Sequence, residues 1–134
     1  MKKGFTQNIE ESTVANTHFR KVLYTGQHIQ LVLMSLLLLE EIGFEVHEAN
    51  DQFFRFEKGN GKVIVEETEY SVGDGDAVIV PAGARHNVIN TSETEALKFY
   101  TIYTPPHHKD GIVRESKKEA GENSPDFDGI TSEQ

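Results

Sequence analysis

Two histidines, a carboxylate and an amide stand at spacings that could hold a divalent cation. Side chains two apart on an extended segment share a face, so Glu45 and His47 project together. On the following segment Gln52, Phe54 and Phe56 share one face, while Phe53, Arg55 and Glu57 share the other. The first set is mostly apolar, which turns Gln52 inward beside aromatic walls, with Phe54 and Phe56 lining the pocket. Ala84, His86 and Val88 form an inward face opposed to Arg85 and Asn87. Imidazole, carboxylate and amide oxygen directed into one interior suit a transition-metal ion.

Gly75-Asp76-Ala77-Val78-Ile79-Val80-Pro81-Ala82-Gly83-Ala84-Arg85-His86-Asn87-Val88-Ile89-Asn90 resembles the second cupin motif, G-x5-P-x-G-x2-H-x3-N, with every fixed position met. The first cupin motif, G-x5-H-x-H-x3–4-E-x6-G, is met in part. His47 occupies its second histidine, and Gln52 to Gly59 keeps the spacing of its close. Leu39 stands for the glycine, Glu45 for the first histidine and Gln52 for the glutamate. The resemblance runs from about Lys21 to Val113. The ending from Tyr100 to Gly111 is similar to small bacterial cupins, some labelled mannose-6-phosphate isomerase-like.

The resemblance implies an all-β double-stranded β-helix, the cupin or jelly-roll barrel, with Glu45, His47, Gln52 and His86 as the metal ligands. The usual site offers three imidazoles and one carboxylate; here the carboxylate has moved from the fourth position to the first. Asp51 is the neighbouring alternative, although its parity sends it to the other face. Two histidines and a carboxylate favour iron, manganese or zinc. The implied function is that of a metal-dependent enzyme, isomerase or dioxygenase in type, acting on a sugar derivative or organic acid. A non-catalytic ligand-binding or sensing cupin and a structural dimer with a vestigial pocket are the alternatives. Tyr100 and Tyr103 are the candidates for proton transfer. His107-His108 is read as a surface loop, since adjacent residues on an extended chain diverge.

Short apolar runs divided by turn signals supply the elements that must position these groups. Phe53–Phe56 and Lys62–Glu66 flank Lys58-Gly59-Asn60-Gly61 and read as a hairpin. Tyr70–Val72, Ala77–Val80, His86–Asn90 and Leu97–Tyr103 read as further strands, the last closed by Pro105-Pro106. The segment His28–Glu41 has helical propensity but poor helical period, and a buried strand is the consistent reading. Leu36-Leu37-Leu38-Leu39 falls where the family places a polar turn. Either the strand is longer or a second subunit covers the leucines, and a homodimer is expected.

Residues 1–20 form a polar arm, 21–113 the barrel, and 114–134 a polar tail expected to be mobile or loosely docked. With 134 residues and 37% apolar content the chain supports one core, and without cysteine it has neither disulfides nor thiolate chemistry. A net charge of -9 excludes general binding to nucleic-acid backbones. Lys2-Lys3 is followed by no apolar run, so no signal peptide is read, and Leu31–Leu39 is too short to span a bilayer. The expectation is a cytoplasmic protein that binds a small molecule and neither nucleic acid nor membrane.

Overall fold

A computed structural model describes all residues, 1–134, as two antiparallel sheets facing one another around a phenylalanine-rich interior. Helix α1 (Ile9–Ala15) precedes strands β1 (Arg20–Thr25), β2 (Gln30–Leu36), β3 (Asp51–Lys58), β4 (Gly61–Val65), β5 (Thr68–Val72), β6 (Ala77–Val80), β7 (His86–Asn90), β8 (Leu97–Thr104) and β9 (Val113–Arg114). Helix α2 (Lys117–Glu122) follows. One sheet has the order β6-β3-β8-β2-β1-β9 and the other β5-β4-β7. This is the all-β barrel anticipated from the strand pattern.

Alternation along the strands builds the interior. Strand β3 buries Gln52, Phe54 and Phe56 and leaves Phe53, Arg55 and Glu57 on the outside. Phe54, Phe56 and Phe99 are fully buried, with ring centroids 5.1 to 6.3 Å apart. Full burial of an apolar side chain of this size contributes about 1.5–3 kcal/mol, so this trio is a large part of what closes the barrel.

Strand β2 explains its own unbroken apolar run. Val32, Met34 and Leu36 face the barrel, while Leu33 on the opposite face is also buried. Helix α1 is packed against β2, β3 and β8, so both faces of β2 lose their water. Asn8 caps this helix by accepting from the Glu11 amide.

Three expectations change. The strand read over His28–Glu41 spans only Gln30–Leu36, and Leu37, Leu38 and Leu39 form an exposed turn. Leu39 takes φ +59°, the left-handed conformation that the motif's glycine would adopt without strain. Second, Phe53–Phe56 and Lys62–Glu66 are not a hairpin. The chain crosses between sheets at Lys58–Gly61, and β4 pairs with β5 and β7. The tight hairpin lies one element later, around Glu66 at φ +53°, where no glycine or asparagine announces it.

Third, the polar tail lies along the barrel. Its contacts are specific backbone and side-chain bonds that its composition does not advertise. Phe127 donates its amide to the His107 carbonyl at 3.0 Å, Asp126 bridges to His108, and Ser132 donates to Thr25 at 2.9 Å. Ser116 caps α2 by accepting from Glu119.

Candidate metal centre

Glu45 and His47 come from the irregular segment between β2 and β3, which runs beside β7 without forming a continuous strand. Glu45 and His86 exchange backbone hydrogen bonds of 2.9 and 3.0 Å, and Ile42 donates to Val88 at 2.9 Å. The segment thus becomes an outer member of the smaller sheet and sends Glu45 and His47 toward the same interior as His86. The motif residues around His86 do backbone work. Gly83, at φ +85°, donates to the His47 carbonyl at 3.0 Å. Asn90 is fully buried and donates to the carbonyls of Leu37 and Glu95, both at 3.0 Å, tying down the leucine turn.

Ligating atoms of Glu45, His47 and His86 all lie within 4.8 Å of one another. The His47 and His86 rings are 5.3 Å apart, and the Glu45 carboxylate stands 3.8 Å from His47 Nε2, an ion-pair distance too long for a hydrogen bond. His86 Nδ1 lies 2.9 Å from the Ala84 carbonyl. That contact requires the proton on Nδ1 and leaves the Nε2 lone pair directed inward. His86 Nε2, His47 Nε2 and Gln52 Oε1 are all buried without a hydrogen-bond partner. Buried polar atoms are rarely left so, and the two imidazole nitrogens clustered with the Glu45 carboxylate fit a divalent cation.

Gln52 is buried on the inward face of β3. Its amide nitrogen donates to Thr101 Oγ1 at 3.0 Å, which fixes the amide and leaves its oxygen as the free end. Phe54 forms a floor, its ring centroid 6.3 Å from that of His86, whereas Phe56 lies deeper against Phe99. Asp51 is exposed and accepts from the Ala82 amide, away from the interior.

Burial works against a charged Glu45, yet the neighbouring His47, with Arg20 and His86 adding to it, holds the carboxyl below its ordinary range. Burial lowers the His86 pKa, and the Ala84 carbonyl and Glu45 only partly offset this. An ionised carboxylate beside a neutral imidazole is the protonation state that coordination needs.

His107 and His108, read from the sequence as a surface loop, belong to the site wall. The turn after the cis Thr104-Pro105 bond brings both rings back onto the barrel mouth. His107 lies with its ring 4.3 Å from His47, and buried His108 places Nε2 3.3 Å from the Tyr103 hydroxyl. Gln30 fixes this turn, its Oε1 accepting from the amides of His107 and His108 at 3.1 and 2.9 Å. Tyr103 faces inward, and burial raises its pKa far above the ordinary value, so it keeps its proton. Tyr100 has the opposite parity and faces out, packed near Phe53 at 6.3 Å. Asn87, read as outward, is buried because the Glu41–Gly43 segment covers it and takes its hydrogen bonds.

Comparison with known proteins gives a consistent result. The family model described as Cupin domain matches residues 33–103. The uncharacterized protein YrkC of Bacillus subtilis is 46% identical over 124 residues, covering 88% of this chain and 66% of its own. This chain therefore spans just under two thirds of that relative. An uncharacterized protein of Acanthamoeba polyphaga mimivirus is 39% identical over 120 residues, covering 87% of this chain and 75% of its own. The crystal structure of BH2720 from Bacillus halodurans is 42% identical with a TM-score of 0.88, covering 90% of this chain and 96% of that one. KdgF from a Halomonas species, at 19% identity and a TM-score of 0.61 over 68% of this chain and 79% of its own, shares the fold.

Proposed function

Because this chain belongs to the cupin domain family, we propose that it is a metalloprotein whose Glu45, His47, Gln52 and His86 hold a divalent iron, manganese or zinc ion and which transforms a small polar molecule in the barrel. The observation that supports this most directly is the pair of unpartnered buried nitrogens, His47 Nε2 and His86 Nε2, clustered with the Glu45 carboxylate; Gln52 Oε1 is likewise buried without a partner. A sugar derivative or an oxygen-rich organic acid is the substrate class, and an isomerase or dioxygenase-type reaction is the chemistry.

A bound divalent metal supplies Lewis-acid polarisation of an oxygen on the substrate. The chain's own groups do the rest. Glu45 stays ionised and offsets cationic charge. The Ala84 carbonyl holds His86 in one tautomer. Tyr103 retains its hydroxyl proton and can donate it in a hydrogen bond to a substrate oxygen, while His108 Nε2 orients that hydroxyl from 3.3 Å. Phe54 and the edge-to-face His47 and His107 rings wall the inner side.

Metal content of the protein purified without added metal tests the reading. Near-stoichiometric metal that is lost in His86→Ala is expected; substoichiometric metal unaltered by that change overturns it. A second reading, a non-catalytic cupin that binds or senses a small ligand, draws support from the neutral Gln52 amide at a position where the family's motif has a carboxylate. Turnover of no candidate sugar or acid by fully loaded protein would favour it. We further propose a homodimer, on the strength of the exposed leucines at 37–39, and a cytoplasmic location, in keeping with a chain free of cysteine.

A further inference from the structure

Arg20 opens β1 and shares the inward parity of Val22, so its side chain enters the barrel end where most arginines would reach for water. It is 7% exposed. One of its terminal nitrogens, Nη1, donates to Ser124 Oγ at 3.2 Å, and its guanidinium lies 5.4 Å from the Phe19 ring. Its Nε has no partner, and none of the chain's ion pairs includes it. A buried guanidinium without a carboxylate opposite it costs stability, a cost that an anionic ligand would offset. Glu45 is near enough to feel its charge but lies beyond ion-pair distance.

Arg20 and Glu45 line one cleft of about 320 Å³, completed by Phe19, Ile42, Lys117 and Ser124. Two cations against one carboxylate leave the cleft with a single net positive charge. The unpartnered Nε side of a planar guanidinium matches the two oxygens of a carboxylate. A monoanion balances this cleft, whereas a phosphate dianion would bring excess negative charge against Glu45. We propose that Arg20 anchors the carboxylate of a small organic acid in this cleft, beside Glu45, the one candidate metal ligand that also lines it. This narrows the substrate class of the function proposed above and rests on that reading, which the cleft joins through Glu45.

Calorimetric and thermal-shift titrations with pyruvate and lactate test it, with glycerol and glucose as uncharged probes and inorganic phosphate as the competing anion. They are run on the protein as purified and after chelation, for wild type, Arg20→Lys and Arg20→Met. Pyruvate or lactate is expected to raise the wild-type melting temperature where glycerol, glucose and phosphate do not. Arg20→Lys should retain weakened binding, and Arg20→Met should lose about 30-fold or more in affinity. Arg20→Met should also melt no lower than wild type without ligand, since it removes an unpaired buried charge. Carboxylate binding that survives chelation and still depends on Arg20 supports the anchor even if the metal reading fails. Metal-loaded protein that ignores both acids overturns the anchor alone. Preference for phosphate overturns the carboxylate assignment, and a lower melting temperature of Arg20→Met with unchanged acid binding makes Arg20 structural and overturns the proposal.

Discussion

Glu45 and His86 face one another across a single antiparallel bridge, each amide donating to the other's carbonyl at 2.9 and 3.0 Å. Two candidate ligands from segments far apart in sequence are thereby held by backbone bonds, with the Ala84 carbonyl fixing the His86 ring as well. A site set by backbone geometry loses little freedom when a ligand arrives, and preorganisation of this kind favours binding. The departures from the family's ligand set are therefore changes of chemistry on a preserved frame.

Gln52→Glu tests that statement. A buried carboxylate would replace an amide whose nitrogen now bonds Thr101 at 3.0 Å, so the metal-free variant should lose about 2 kcal/mol of stability. Metal should restore it, because a charged ligand replaces a neutral one. The expected result is a lower melting temperature after chelation and a larger metal-induced rise than in wild type. An equal metal-induced rise in both would remove Gln52 from the coordination sphere.

His108 sets a pH dependence. Burial, with the charge of Arg20 and the nearby His107 and His47, pushes its pKa from 6.5 down to about 2. The folded protein holds the ring neutral while the unfolded chain protonates it near pH 6.5, so protons favour unfolding. Stability from this group is complete above that pH. It falls by about 1.4 kcal/mol per unit as pH drops from 6.5 toward 2. Urea denaturation of chelated protein at pH 7 and pH 5 should show this loss. His108→Phe, which keeps the edge contact with Tyr103, should lose less between the same two pH values.

Much of the barrel was legible because alternation is a two-residue signal. Phe54, Phe56 and Val88 announce the interior by parity alone, and His86 inherits its direction from Ala84 and Val88. The wall formed by His107 and His108 was not legible. Its position depends on Gln30 accepting from both amides and on the tail returning over it, contacts about eighty residues apart in sequence for the first. Arg20 was hidden in a polar arm for the same reason, since the register that turns it inward is set by β1 pairing with β2. The strand crossing at Gly59 was misread as a hairpin because glycine-rich turns serve both purposes.

Leu39 carries a conformational cost that glycine would remove. At φ +59° an L-residue is disfavoured by roughly 1–2 kcal/mol, and the side chain is more than half exposed, so little packing offsets it. Leu39→Gly should raise stability in denaturant by about 0.5–1 kcal/mol. The homodimer proposed over the same turn predicts a second result. Leu37→Ser/Leu38→Ser should sediment as a monomer at concentrations where wild type is a dimer, with its circular dichroism unchanged. A wild type that sediments as a monomer removes the leucine turn from any self-association.

Gly59 closes the first motif and marks where the chain leaves one sheet for the other. It has φ +106°, and a Cβ there would lie 2.6 Å from the Ala96 carbonyl oxygen and 3.2 Å from Leu97 Cα. Both neighbours are backbone, and Leu97 is fully buried at the start of β8, so neither can yield without moving a core strand. Gly59→Ala therefore combines a disfavoured backbone conformation with overpacking and should cost about 2–4 kcal/mol. Gly75, also at positive φ but with open space around it, provides the control. Gly75→Ala meets the conformational cost alone and should lose about 1 kcal/mol. Equal losses from the two substitutions in urea titrations would show that the crossing is not sterically tight.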